Sequence, residues 1–219
     1  MSSSGRRKPT RRPAPAAAPS RRRLPLLWIA VGAVLVLLAV AVVISAGGGD
    51  ETDEFGSPTV SGDPLPDFVP DAADPALGTP IPEVSGADFS GDPVSITRDG
   101  RPKAIVFLAH WCSHCQAEVP AIQAWLDDNE VPGNVEIVSV ATGTDPARPN
   151  YPPSSWLDDE GWTPPVIVDD EGFAVGNAYG LSAFPYWVYV DSDGNVVGRT
   201  SGETSVEAFA SILEQLAAS

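Results

Sequence analysis

Cysteine, histidine and methionine are scarce in this chain of 219 residues, which contains two cysteines, two histidines and one methionine. A structural zinc site needs four ligands in a tetrahedral arrangement, usually cysteine or histidine. The four available side chains are Cys112 and Cys115 with His110 and His114. They lie at a predicted strand-to-helix junction, which would keep them from converging on one ion. We therefore expect no metal site.

Basic residues are also scarce beyond the first 23 positions. Eight of the 13 lysines and arginines precede residue 24, and all 29 acidic residues lie from Asp50 onward. The chain from Asp50 contains five basic residues and therefore carries 24 more negative than positive charges. Such a surface repels nucleic acid and anionic lipid. We interpret the acidity mainly as a solubility feature.

One long hydrophobic run is present, and it lies near the N-terminus. Residues 24–44 contain no charge and are rich in Val, Leu and Ala. As a helix they would span about 31 Å, the thickness of a bilayer's hydrocarbon core. The basic tail, residues 1–23, places the N-terminus in the cytoplasm by the positive-inside rule. We predict a single-pass transmembrane anchor, with everything after Ile44 on the outer side.

Two other interpretations of this region fit it less well. A cleaved signal peptide has an apolar stretch of about 7–15 residues and a small-residue cleavage site. This run has 21 residues and ends in Val42-Val43-Ile44-Ser45-Ala46, a poor cleavage signal. The arginines could bind nucleic acid, but attraction to anionic lipid beside the membrane explains them more simply.

Prolines and glycines dominate the next segment, residues 45–85. It contains three consecutive glycines at 47–49 and seven prolines between Pro58 and Pro82. These residues should interrupt every helix or strand. We predict a flexible linker with an end-to-end distance of about 35 Å. The rest, residues 86–219, is long enough for one domain with a proper core.

The two cysteines lie three positions apart in Trp111-Cys112-Ser113-His114-Cys115. The motif follows a strand-like run, residues 104–109, and precedes a helical pattern over 116–129. The dipole and free N–H groups of a helix N-terminus favour a thiolate there. That thiolate is the nucleophile in disulfide exchange, and the second cysteine can resolve the mixed disulfide. The pattern favours redox catalysis over a zinc half-site or an inert disulfide.

The elements around the motif indicate an α/β fold. A β-hairpin is predicted over residues 88–103, with turns at Gly91-Asp92 and Asp99-Gly100. The strand 104–109, the helix 116–129 and a strand over 135–140 form a parallel βαβ unit. The other predicted elements are a helix near 155–160, a strand at 166–168, hairpin strands at 186–190 and 195–199, and a helix over 205–217. Thr204 and Glu207 form a capping box before that last helix.

Residues 86–219 resemble the TlpA/ResA-like branch of the thioredoxin superfamily, membrane-tethered thiol–disulfide oxidoreductases of the bacterial envelope. The resemblance rests on four motifs in order: the Trp-Cys-x-x-Cys of 111–115, Glu118-Val119-Pro120, Phe184-Pro185, and Val190-Asp191-x-Asp193-Gly194. It implies a thioredoxin-like fold, a mixed central sheet flanked by helices. The fold would include an N-terminal hairpin and an insertion, residues 141–180, before a cis-proline.

The resemblance also implies roles for individual residues. Glu118 would exchange the proton of Cys115, and cis-Pro185 would hold a substrate segment together with Phe184. On the residues alone, Glu118 is a surface carboxylate near a helix start, and Pro185 is an ordinary strand-edge proline. Trp111 is either a core aromatic or, as we favour, a rim residue beside the motif.

Three features, at four positions, depart from the family's pattern. Val106 stands where thioredoxin has a buried aspartate, so the proton acceptor must come from elsewhere. Phe184 replaces the threonine or valine usual in relatives. Ser113-His114 resembles the Pro-His of the DsbA oxidases more than the Glu-Pro or Val-Pro of this branch. His114 is either an exposed residue without a functional role or a charged group near Cys112. A charged His114 would stabilise the Cys112 thiolate and the reduced form. This second interpretation favours a site that donates disulfides.

We therefore expect Cys112 and Cys115 to exchange disulfides with cysteine-containing exported proteins, with oxidation slightly favoured over reduction. The alternatives are a reductase that supplies thiols for cytochrome c maturation, and a substrate-binding module without catalysis. An integral membrane protein is the expected redox partner, and no metal, organic cofactor or nucleic acid is implied. The resemblance places the anchor in a bacterial plasma membrane.

Overall fold

The computed structural model of the protein describes residues 54–219. The predicted tail, residues 1–23, and the predicted anchor, residues 24–44, lie outside the described residues, as does the start of the predicted linker. Within residues 54–219, none of the helices combines the length and the apolar character needed to cross a bilayer.

The described residues form eight strands and four helices. In chain order these are β1 Thr59–Ser61, β2 Glu83–Ala87, β3 Pro93–Ile96, β4 Lys103–Leu108, α1 Ser113–Asp128, β5 Glu136–Ala141, α2 Pro153–Asp159, β6 Val166–Val168, α3 Ala174–Ala178, β7 Tyr186–Val190, β8 Val196–Ser201 and α4 Val206–Ala217.

The larger of two sheets has five strands in the order β6-β5-β4-β7-β8. Strands β4, β5 and β6 are parallel, and β7 pairs antiparallel with both β4 and β8. Helix α1 connects β4 to β5, which is the predicted βαβ unit. This mixed sheet with its helices confirms the thioredoxin-like α/β fold.

Strand β4 is the centre of the core, and all six of its residues are buried. Val106 and Leu108 pack in one cluster with residues of α1 and α4. Ile105 and Phe107 pack in the other cluster, with residues of β2 and β3. A strand covered on both faces explains why its sequence is a continuous apolar run rather than an alternating one.

The predicted N-terminal hairpin exists, but it begins earlier than the expected 88–103. Its strands are β2 and β3, which pair antiparallel, and β1 adds a third strand beside β2. The turn between them is held by Asp88, whose Oδ1 accepts hydrogen bonds from the N–H groups of Ser90 (2.8 Å) and Asp92 (2.9 Å). The second strand of the hairpin, β3, ends at Ile96, before the turn predicted at Asp99-Gly100.

The prediction of a flexible linker is wrong for the part of residues 45–85 that the structure describes. Leu65, Ala76 and Ile81 are buried in the core of the domain. The backbone N–H of Leu65 donates to the Ala178 carbonyl at 2.8 Å, and other N–H groups of the segment bond to β8 and its turn. Proline excludes helix and central strand, but the remaining N–H groups of an extended segment can still bond to a folded domain.

Arg199 of β8 fixes this segment to the domain. Its Nε donates to Oδ2 of Asp74 at 2.9 Å, and a second hydrogen bond joins Nη2 to Oδ1 of the same carboxylate. Its Nη1 donates to the Pro66 carbonyl at 2.8 Å. The Arg199 side chain is fully buried, at 0% exposure. Hydrogen bonding to Arg199 holds the pKa of Asp74 below its ordinary value.

The insertion between β5 and β7 contains the predicted short helix and strand, here α2 and β6, and one further helix. That helix, α3, was not predicted because it has only five residues. Asp169 holds it in place, since its carboxylate accepts hydrogen bonds from the N–H groups of Val175 (2.9 Å) and Gly176 (3.0 Å).

Candidate active site

The sheet register brings the cysteine motif to the proline segment. In the antiparallel pairing of β4 with β7, Phe107 lies opposite Tyr186. The chain after β4 therefore emerges beside the chain before β7, which places Cys112 next to Phe184. The Phe184–Pro185 peptide bond is cis, as expected.

Cys112 and Cys115 are free thiols that differ in their surroundings. Cys112 is the N-cap of α1, is 9% exposed, and its Sγ donates to the Phe184 carbonyl at 3.6 Å. Cys115, within the first turn, is 0% exposed. Burial raises the pKa of the Cys115 thiol well above its ordinary value. Cys112 is therefore the more accessible of the two thiols.

Glu118 lies one helical turn beyond Cys115 and is 2% exposed. Its Oε1 accepts a hydrogen bond from the backbone N–H of Thr204 at 2.7 Å, and its Oε2 accepts one from Nε1 of Trp187 at 3.1 Å. Burial raises the pKa of Glu118 to about 7. The interpretation of Glu118 as a surface carboxylate is therefore wrong. A carboxyl group with this pKa can accept or release a proton near neutral pH.

Thr204 has a different function from the predicted one. Helix α4 is capped by Ser205, whose side chain accepts a hydrogen bond from the Ala208 N–H, and not by a Thr204–Glu207 capping box. The N–H of Thr204 is directed to Glu118 instead. The helix start predicted from the sequence was therefore one residue too early.

Glu118 should make the folded protein less stable as the pH rises towards neutrality. Its pKa rises from 4.5 to about 7 on folding, so between these values the folded state binds more protons than the unfolded state. The free energy of unfolding should fall by about 3 kcal/mol across this window. Glu118→Gln should abolish that fall. The test is urea unfolding of both proteins at a series of pH values from 5 to 8.

The measured quantity is the difference in the free energy of unfolding between wild type and Glu118→Gln, because the pH dependence contributed by His110 has the opposite sign. Burial lowers the pKa of His110, so acid protonates the unfolded state first and lowers stability as the pH falls. This contribution is common to wild type and variant, and it cancels. Glu214→Gln removes an exposed glutamate and serves as the control. If Glu118→Gln and wild type ran parallel from pH 5 to 8, Glu118 would not be the titrating group.

Trp111 occupies the rim of the site, as favoured from the sequence. It is half-buried, its Nε1 donates to the Gly143 carbonyl at 2.7 Å, and its ring meets that of Phe184 edge-on with centroids 5.7 Å apart. The guanidinium of Arg148 lies 4.1 Å above the Trp111 ring. These contacts fix Trp111 and Phe184 as one aromatic wall beside Cys112.

His114 is exposed and faces a carboxylate. Its Nδ1 lies 3.4 Å from Oε2 of Glu203, with both side chains more than half exposed. A charge on His114 is therefore partly offset by the neighbouring Glu203.

His110 is buried and contacts the loop that follows β5. Its Nδ1 lies 2.7 Å from the Pro149 carbonyl, and its Nε2 accepts a hydrogen bond from the N–H of Asp145 at 3.2 Å. This arrangement requires a neutral ring with the proton on Nδ1. The loop held in this way carries Gly143 and Arg148 to Trp111.

Several residues around the motif have no signal in the sequence. These are Gly143, Arg148, Trp187 and Glu203. None of them belongs to a motif, and each lies more than 25 positions from Cys112 in the chain. Only the paired strands bring them to the site.

Comparison with known proteins gives one family and several relatives. The Redoxin family matches residues 61–216. The thiol-disulfide oxidoreductase ResA of Bacillus thuringiensis is 26% identical over 152 residues, covering 68% of this chain and 83% of ResA. A thioredoxin-family thiol:disulfide interchange protein of Chlorobium tepidum is 25% identical with a TM-score of 0.51, covering 66% of this chain and 99% of its own.

A secreted disulfide oxidoreductase of Mycobacterium tuberculosis, homologous to Escherichia coli DsbE, shares the fold. It is 20% identical with a TM-score of 0.51, covering 60% of this chain and 95% of its own.

Proposed function

The chain belongs to the Redoxin family and is a thiol–disulfide oxidoreductase of the ResA type; on that premise we propose that it reduces disulfides in exported proteins. Cys112 is the attacking thiol and Cys115 the resolving thiol. One observation carries the proposal: a reachable thiol beside the cis-proline segment, backed by a buried thiol and a buried carboxyl group on the same helix.

The placement of these groups supports the following reaction. The Cys112 thiolate attacks a substrate disulfide, which forms a mixed disulfide and releases the first substrate thiol. Cys115 loses its proton to Glu118 and attacks Sγ of Cys112, which releases the second substrate thiol and closes the Cys112–Cys115 disulfide. Two electrons pass from the dithiol to the substrate, so no metal or organic cofactor is needed. The carboxyl group matters because burial disfavours the Cys115 thiolate.

The surroundings of His114 favour reduction over oxidation. The expectation of an oxidase depended on a positive charge that stabilises the Cys112 thiolate. Glu203, with its Oε2 3.4 Å from the His114 Nδ1, partly offsets that charge at the exposed edge of the site. Glu118 remains as the feature associated with reductases of this branch, and it supports reduction as the direction of the reaction.

The location of the reaction is part of the proposal. Residues 24–44 would anchor the chain in a bacterial plasma membrane, with the tail 1–23 in the cytoplasm and the thioredoxin-like domain outside. An integral membrane protein would then return electrons to the Cys112–Cys115 disulfide. The uncharged run and the arginines before it support this arrangement.

Trapping of mixed disulfides in cells tests both reaction and location. The full-length Cys115→Ser variant retains the attacking thiol but cannot resolve the intermediate, so it should accumulate covalent complexes with exported proteins. These complexes should sediment with membranes, dissociate with dithiothreitol, and be digested by protease added to intact spheroplasts. The Cys112→Ser/Cys115→Ser double variant should form none. Complexes with cytoplasmic proteins, protected from protease, would contradict the proposed location.

A further inference from the structure

A groove of about 500 Å³ adjoins Cys112 and is lined by residues of the insertion and of the segment that precedes Pro185. Its lining is mostly apolar, with Asn177 and Ser182 as polar members, and contains no charged residue although the chain is strongly acidic. The lining residues with large apolar side chains are Trp111, Phe173, Leu181 and Phe184.

Phe173 is the part of the groove that the fold does not require. It precedes α3 with φ 60° and ψ 39°, the left-handed region that a bulky residue rarely adopts. Its side chain is 38% exposed, so burial in the core does not explain a phenylalanine here. Strained positions of this kind are common at ligand-binding sites.

Gly143 lies against the rings of both phenylalanines. A Cβ atom at this position would lie 3.2 Å from Cε1 of Phe173 and 3.2 Å from Cζ of Phe184. The two rings therefore converge over a bare backbone position. The same glycine has a φ of 66° and accepts the hydrogen bond from Trp111, which ties the groove to the wall beside Cys112.

We propose that this groove is the specificity pocket of the enzyme and receives a large apolar side chain of the protein substrate, next to the cysteine that bonds to Cys112. The inference rests on the proposed function. A substrate sulfur bonded to Sγ of Cys112 places the neighbouring substrate residue at the start of the groove, because Cys112 is itself part of the lining. An acidic side chain there would find no charged partner among the lining residues.

The preference can be measured with short peptides whose single cysteine is in a disulfide with glutathione. The residue before the cysteine is Phe, Ala or Asp, and the full-length reduced enzyme is mixed with each in single turnover. Wild type should react with the Phe peptide at least about 10-fold faster than with the Ala peptide, the range for apolar groups in a pocket. The Asp peptide should be slowest.

Phe173→Asn removes the ring at a position where asparagine adopts the backbone more readily than phenylalanine. This variant should therefore unfold at a temperature no lower than wild type, while its Phe-to-Ala rate ratio falls below about 3. Leu77→Asn removes another exposed apolar side chain, 53% exposed and outside the groove lining, and should keep the wild-type ratio.

The outcomes separate the groove from the reaction. Equal rates for all three peptides with wild type, or an unchanged ratio in folded Phe173→Asn, would overturn the specificity pocket and leave the reductase in place. Failure to react with any of the peptides would overturn the proposed reaction and the pocket with it.

Discussion

Cys112→Ser should reduce insulin no faster than dithiothreitol alone, whereas wild type should accelerate the reduction. The reason is the difference in access: Cys112 lies at the mouth of the site with its Sγ beside the Phe184 carbonyl, and Cys115 is wholly buried. A serine hydroxyl is far less nucleophilic than a thiolate, so nothing else at the mouth can attack. The assay follows insulin precipitation with full-length protein in detergent.

The control for this experiment lies between the two cysteines. Ser113→Ala changes an exposed residue of the same turn and should keep most of the wild-type rate. Activity retained in Cys112→Ser and lost in Cys115→Ser would reverse the assigned order of attack. Activity retained in both would mean that the dithiol is not the reacting group.

Asp74→Ala should lower the free energy of unfolding by about 3–5 kcal/mol, the cost of leaving one member of a buried ion pair without its partner. The Arg199 guanidinium is fully buried and would keep hydrogen bonds to the Pro66 carbonyl, the Tyr179 carbonyl and the Tyr186 hydroxyl. None of these carries a compensating charge. Urea unfolding at pH 7, followed by tryptophan fluorescence, measures the loss.

Asp63→Ala is the matched control, since Asp63 lies in the same segment but is exposed. Its effect should remain within about 0.5 kcal/mol. The Asp74→Ala/Arg199→Met double variant should recover part of the stability, because it removes the unpaired charge. If Asp74→Ala were no worse than Asp63→Ala, the segment before β2 would not be fastened through Arg199.

The sequence predicted the elements whose signal is local. The apolar run of β4, the helical spacing of α1 and the turn before β8 each lie within a few residues, and the structure contains all three. The cis bond at Phe184–Pro185 followed from the family resemblance rather than from any local signal.

The features that could not be predicted depend on contacts between distant residues. Residues 54–85 look like a linker because their prolines can be read from the sequence, whereas their contacts with the rest of the domain cannot. Asp74, for example, pairs with Arg199, which is 125 positions away. Glu118 looks exposed because the groups that bury it, Trp187 and Thr204, are 69 and 86 positions away. Phe173 has no motif around it, and only the folded insertion brings it to Phe184.

The central claim is that Cys112 and Cys115 form a reducing dithiol, and a glutathione redox titration of the full-length protein tests it most directly. The fraction of Cys112–Cys115 disulfide is measured by thiol alkylation and mass spectrometry. The account predicts a single two-electron transition with a midpoint near that of a thioredoxin, about −270 mV. A midpoint near the −120 mV of a strong oxidant, or two thiols that never form a disulfide, would contradict it.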